Sequence, residues 1–276
     1  MRRSIAARTF FDGVGILVLV VMMFPIYWMI STALKPGKEI LALNPVWIPS
    51  APTFDNFRTA MNVPYFWNDV VNSLVVVLTV VVVSIALAFL AAVSVARFGF
   101  RGRTAFIVMI IAVQMVPLNA LVIPIYLLLN AVGQVDSLLG VIAYYLAFVL
   151  PFMIWTLRGF IANVPVDLEE AAMVDGASRV GAFMRIVFPL VAPGLIATGI
   201  FGFIQAWNEF IIAYVLLSSS SKQTLTIWLA SFTTQHGTDW GGLMAGATLT
   251  ALPVVILFLF VQRHIVGGLT AGAVKG

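Results

Sequence analysis

Apolar residues in this chain do not alternate with polar ones. They run together in stretches long enough to cross a bilayer, where a helix needs about 20 of them. Six stretches qualify, at about residues 13–33, 73–96, 104–129, 138–157, 195–217 and 243–261, and each predicts a membrane-spanning helix. The first is too long and too aromatic at its far end (Tyr27, Trp28) for a signal peptide, and no small-residue cleavage site follows it. The third carries Gln114, Pro117, Asn119 and Pro124, of which the prolines predict kinks. Composition agrees with this pattern: 62% of residues are hydrophobic and 9% are charged, against about 25% charged in a soluble domain.

Positive charge orients the spans. Arg2, Arg3, Arg8, Arg97, Arg101, Arg103, Arg158, Arg179, Arg185, Arg263 and Lys275 fall on one side, and Lys35, Lys38, Arg58 and Lys222 on the other. Both termini are therefore expected in the cytoplasm. The absence of cysteine excludes disulfides, thiol catalysis and Cys-based zinc sites. No GxxxxGK[ST] phosphate loop is present, so ATP binding by that route is not expected. The two histidines, His236 and His264, fall on opposite sides of the membrane, no metal site is expected, and no Ser/His/Asp set is visible. Nothing in the sequence argues for an enzyme.

One expected cytoplasmic segment is unlike the rest. Between Pro165 and Pro193 the chain gathers Asp167, Glu169, Glu170 and Asp175. Asp167 reads as an N-cap and Glu170 as its partner in an acidic capping box, with the acids in the turn where the helix dipole favours them. Leu168, Ala171 and Ala172 form one small apolar face. Asp175-Gly176 signals a turn, with Gly176 as a left-handed cap. Ser178 caps a second helix, along which Val180, Phe183, Met184 and Val187 repeat at helical spacing and which Pro189 ends. An ordinary loop lying on the membrane is the competing reading. Against it, the first helix offers alanines instead of the large anchors of an interfacial helix, and an anionic leaflet repels its acids. Small side chains permit the close approach of another protein.

This segment resembles the EAA motif of ABC-importer permeases: E-A-A, three residues, G, nine residues, then I-x-L-P. Glu170, Ala171, Ala172, Gly176, Ile186 and Pro189 meet it, with Phe188 where the pattern prefers Leu. NSLVVVLTVV, VARFGFRGR, PFMIWTLRGFIANVP, AWNEF and the terminal QRHIVGGLTAGAVKG are similar to the maltose-type carbohydrate permease group, so the resemblance covers essentially the whole chain. It implies an all-α integral membrane protein of the type I ABC-importer permease fold, with six transmembrane helices. It also implies a single permease domain over residues 1–276, a coupling helix-turn-helix at about 165–189, and a place in the prokaryotic plasma (inner) membrane.

The implied partners are a second homologous permease, two ATPase subunits and an extracytoplasmic solute-binding protein, with no nucleic acid. No cofactor is expected on this chain; ATP and magnesium belong to the partner ATPase. The implied function is one half of the translocation pathway of an ATP-driven importer for a di- or oligosaccharide, amino sugars included. Asp167, Glu170, Ala171, Ala172, Asp175, Gly176, Ile186 and Pro189 would seat in the ATPase, with Glu170 pairing a basic residue there. Gly272 and Lys275 would reach between the ATPase subunits, unless the tail is simply frayed.

Glu209 is the one acid well inside a predicted span, where a charge costs about 2.5–3.5 kcal/mol. With Trp207 and Asn208 it resembles a sugar site, an aromatic platform beside hydrogen-bonding groups. The competing reading is packing against neighbouring spans or a place at the outer gate. Gln114 and Asn119 are further pathway candidates. In the outer segment, Thr233, Gln235, Asp239 and Trp240 are candidates to meet the binding protein, with an ordinary exposed loop as the alternative. Three other functions compete: permeation of a polyol or glycerol phosphate, ion-coupled secondary transport, and a membrane scaffold. A secondary transporter would normally show several intramembrane ionisable groups, and neither it nor a scaffold accounts for the EAA segment.

Overall fold

Hydrocarbon offers no water to backbone N–H and C=O groups, so an apolar run must satisfy them internally. In the computed structural model of the protein the long runs are accordingly helical. The structure describes residues 5–271, with side chains over 10–262 apart from Leu118 and Asn119. Gly272 and Lys275 lie outside the described residues, as does the side chain of Asn119.

Among the described residues, five helices are long and apolar enough to cross a membrane. They lie within α1 (Ile5–Ala33), α4 (Phe66–Arg97), α7 (Leu138–Ala162), the continuous stretch Arg179–Asn208, and α13 (Trp240–Ala271). The stretch expected to form the third span is divided. It holds α5 (Arg103–Gln114), a 3-10 turn at Leu118–Leu121, and α6 (Val122–Ala131). Pro117, extended at φ −68° and ψ 115°, makes the break by removing an N–H and disfavouring helix at Val116. A 12-residue helix such as α5 is only about 18 Å long, short of the ~30 Å core.

The chain divides into two units. The first holds residues 5–67 and 228–252, including α2 (Gly37–Ile40) and α3 (Asp55–Met61). The segment after α1 is tied down by side chains. Tyr27 donates its hydroxyl to the Trp47 carbonyl at 2.6 Å, and Asn56 donates to the carbonyls of Ala33 and Lys35 at 2.9 and 2.8 Å. Lys35 is buried with its ammonium 3.8 Å from the Trp28 ring, and burial lowers its pKa. A short hairpin, β1 (Thr233–Thr234) with β2 (Gly237–Thr238), precedes α13.

The second unit holds residues 68–227 and 253–271, including α8 (Asp167–Val174), α9 (Arg179–Ala182), α10 (Phe188–Asn208) and α11 (Ile211–Leu216). Helix α12 (Leu225–Ala230) follows them in the chain. Along α7 the residues Val141, Tyr145, Val149, Met153, Leu157 and Ile161, spaced by four, are all buried. Helix α10, which packs on α7, carries small buried residues spaced by four: Gly194 against the Phe160 ring, then Thr198, Gly202 and Ala206. Lipid is as apolar as leucine, so helices in a membrane associate through close packing, and small residues permit it. At Gly202 a Cβ would lie 3.1 Å from the Met153 sulfur and 3.2 Å from a Val149 methyl. Apolar residues such as Leu90 and Leu127 remain exposed, as suits a lipid surface.

Candidate functional site

The helix-turn-helix between α7 and α10 is present, with the two-helix form the sequence predicts. Helix α8 runs Asp167–Val174 and keeps Asp167, Glu169 and Glu170 in its first turn. The capping box is not formed. Val166 is the N-cap and makes no side-chain cap bond, because Asp167 is itself the first helical residue. The end of α8 is closed as expected. Gly176 takes φ +91°, its N–H donates to Met173 O at 3.1 Å, and the Ala177 N–H donates to Ala172 O at 3.0 Å. These two bonds form a Schellman cap, whose left-handed residue favours glycine. Ser178 then caps α9, its hydroxyl accepting from the Gly181 N–H at 3.1 Å.

Pro189 does not end the second helix. Helix α9 passes through a π-helical turn, Phe183–Val187, into α10, so the second arm and the following span are one helix. The Phe188 N–H reaches back to Phe183 O, so the helix has already left its i→i−4 ladder where Pro189, with no N–H to give, follows.

The two adjacent acids of α8 have opposite surroundings. Successive helical residues point about 100° apart. Glu170 is exposed, with Asp167, Ala171, Asp175, Gly176 and Pro189; Ala172 and Ile186 are half-buried. Glu169 is buried, and its Oε1 lies 2.5 Å from Nε of Arg97, at the end of α4. Arg97 also donates from Nη2 to the Val164 carbonyl at 2.9 Å, beyond the C-terminus of α7. A cation there also suits the dipoles of both helices. Inside the turn, Ala172, Asp175, Gly176, Ala182, Arg185 and Ile186 line a depression of about 240 Å³.

The three residues Trp207, Asn208 and Glu209 do not form a common face. Trp207 is buried and stacks on Phe203, with centroids 5.5 Å apart. Asn208 is exposed and donates to Ile204 O at 2.9 Å. Glu209 interrupts the predicted fifth span in an extended conformation, φ −69° and ψ 129°, between α10 and α11. Its carboxylate accepts from the N–H groups of Ile212 and Ala213 at 2.9 and 3.2 Å and from the Tyr145 hydroxyl at 2.8 Å. Its carbonyl accepts from Thr226 Oγ1 at 3.0 Å. The acid thus satisfies the start of a broken helix, so packing outweighs the sugar-site reading at this residue.

Gln114 lines a cavity of about 680 Å³ within the second unit. Tyr144, Phe148, Phe152, Phe201 and Gln205 also face it, and no charged side chain is among its lining residues. The Phe152 and Phe201 rings stack at 3.8 Å. Apolar walls with a few polar groups are what binding pockets commonly present. The candidates between residues 233 and 240 have mixed surroundings. Thr233 and Gln235 are exposed on the hairpin, Trp240 is exposed, and Asp239 accepts from the Gly242 N–H at 3.0 Å at the start of α13.

Residues 84–270 match the family described as binding-protein-dependent transport system inner membrane component. The chain belongs to that family. It is 45% identical to the diacetylchitobiose uptake system permease of Streptomyces coelicolor over 276 residues, all of both chains. It is 36% identical to the trehalose transport permease of Mycobacterium tuberculosis over 97% of this chain and 98% of that one. It is 32% identical to the trehalose/maltose permease of Thermococcus litoralis over the full length of both. Among solved structures, a chain of a bacterial alginate ABC importer superposes with a TM-score of 0.78 at 22% identity, over 95% of this chain and 99% of that one.

The protein is thus an inner-membrane ABC permease of the maltose type and not an enzyme, ATP hydrolysis in this family lying on separate subunits. Two features of the permease escaped the sequence reading. Arg97 and Glu169 are 72 positions apart, with nothing in the chain to mark them as partners. Gln205 and Tyr144 look like ordinary span residues until the cavity brings them to one wall.

A further polar cluster holds the loop after α6. Asp136, at φ +54°, accepts at Oδ1 from the N–H groups of Ser218 and Ser219 at 3.0 and 2.9 Å. At Oδ2 it accepts from the Ser219 hydroxyl at 2.5 Å and the Lys222 ammonium at 3.1 Å. The Ser219 hydrogen bonds, with those of Lys222 and Ser218, hold its carboxyl well below the usual carboxylate range.

Proposed function

We propose that this permease forms one half of the translocation pathway of an ATP-driven importer for a neutral di- or oligosaccharide, with N-acetylated amino-sugar dimers as the leading class. The observation that carries the reading is the full-length 45% identity to a diacetylchitobiose permease. The cavity is compatible with it: stacked aromatic rings and two glutamines suit the apolar faces and hydroxyls of a sugar, and its lining offers no cation for a phosphorylated cargo. Gln114, Tyr144, Phe152 and Gln205 are the residues we assign to sugar contact, in place of the Trp207–Glu209 set.

In this reading residues 1–276 act as one permease domain with both termini in the cytoplasm. Its partners are a second permease, two ATPase subunits carrying ATP and magnesium, and an extracytoplasmic binding protein that meets the hairpin around Thr233 and Gln235. The exposed Glu170, Ala171 and Gly176 seat in an ATPase cleft, Glu170 pairing a basic residue there, and the terminal Gly272 and Lys275 reach the same subunits.

The test is mild-detergent purification of the tagged chain from its native cell, followed by uptake in proteoliposomes containing the co-purified complex. We expect a second permease and an ATPase to accompany the chain. Radiolabelled diacetylchitobiose should enter only with ATP and binding protein. A chain that purifies alone, or uptake indifferent to ATP, would overturn the reading.

A further inference from the structure

Helix α8 is joined covalently to α7 through the Ala162–Asp167 connection, and α9 continues through the π turn into α10. Helix α4 has no covalent link to this hairpin. Three side-chain contacts tie α4 and the residue after it to the hairpin and to the start of α10. Arg97 meets Glu169 at 2.5 Å, the Arg179 guanidinium lies 4.8 Å from the Phe98 ring, and Phe89 lies 5.9 and 5.7 Å from the rings of Phe183 and Phe188. Of the three, only Arg97–Glu169 grips α8 itself. Its side chains are 7% and 10% exposed, so water does not replace either partner if they part. An exposed ion pair would let the helices slip, because water and salt screen it.

We propose that the Arg97–Glu169 pair is the strut that carries displacement of α8 into α4, with Glu169 as a positioning residue. Glu170, one position along, is left free to face a partner. The proposal rests on the reading of α8 as the ATPase-coupling helix. Movement of α8 then draws α7 and α10 through the backbone and α4 through one buried charge pair. Loss of that charge leaves α8 attached to the ATPase but uncouples it from α4.

The cysteine-free chain allows a direct test. Cysteines are introduced at Leu90, exposed on α4, and at Met173, on the Glu169 side of α8, and both carry nitroxide labels. The labelled chain is purified with its partner permease and ATPase. The distance between labels is measured by pulsed electron paramagnetic resonance without nucleotide and after trapping with ATP and vanadate. The expected result is one distance in both states for the parent, and a shifted and broadened distance on trapping in Glu169→Gln, with the ATPase still bound. A parent distance that changes on trapping would overturn the proposal, as would an unchanged distance in Glu169→Gln. Loss of the ATPase from Glu169→Gln would also overturn it, since the pair would then serve only to keep α8 folded. Failure of the coupling reading itself shows separately, as absence of the ATPase from the parent.

Discussion

The Tyr145 hydroxyl donates to the Glu209 carboxylate at 2.8 Å, linking the N-terminal half of α7 to the break between α10 and α11. The same carboxylate accepts two backbone N–H groups of α11, so one acid joins two spans and starts a helix. Tyr145→Phe removes one of the three donors without changing shape. It should destabilise the permease by about 1–2 kcal/mol, read as a lowered midpoint of thermal unfolding in detergent. Glu209→Ala leaves the two N–H groups and the Tyr145 hydroxyl together without their acceptor and should cost more than Tyr145→Phe in the same assay. Equal midpoints for all three proteins would contradict this account.

Glu169 and Glu170 offer a contrast within one helix. Glu169→Ala strands the buried Arg97 charge and should cost about 3–5 kcal/mol. Glu170→Ala touches an exposed side chain and should change stability by less than about 0.5 kcal/mol. If Glu170 pairs with the ATPase, its alanine variant should instead lower ATPase recovery in affinity purification. Reversal of the two effects would show that the outward-facing acid has been misassigned.

The turn at Gly176 should tolerate alanine poorly. A Cβ meets no neighbour there, so the penalty comes from φ +91° alone, about 1–2 kcal/mol. Gly176→Asn, which accepts left-handed backbone more readily, should lose less than Gly176→Ala. Thermal unfolding of the two variants side by side tests this ranking.

At Gly202 the constraint is space. Gly202→Leu drives a side chain into Met153 and Val149 at the close approach of α10 to α7. It should reduce the amount of folded permease in the membrane, measured by a monodisperse peak in size-exclusion chromatography. Gly202→Ala should be milder, because the flexible Met153 side chain can give way.

The Asp136 cluster gives a pH dependence whose sign is fixed. The folded pKa lies below the unfolded value of about 3.9. The stabilisation is therefore present in full above that value and fades as pH falls from about 4 toward the folded pKa. Asp136→Asn should remove this acid-labile component, at a cost on the order of 1.5 kcal/mol near neutrality. Parent and variant melting midpoints should converge as the pH is lowered below 4.

Uninterrupted apolar runs determined that the chain is helical and membrane-embedded, since a bilayer leaves the backbone no other way to satisfy its polar groups. Local chemistry was equally legible: Gly176 and Ser178 close and open their helices through bonds to residues within five positions. Such contacts do not depend on the rest of the fold. The misread features depended on more distant contacts. Pro189 looked like a terminus because hydropathy does not show the π turn that carries the helix past it. The span through Glu209 looked continuous because the donors that support its break come partly from Tyr145 and Thr226, on other elements. Which acid of the Glu169–Glu170 pair faces inward was decided by where Arg97 lies in space, and that position is set by how α4, α7 and α8 come together.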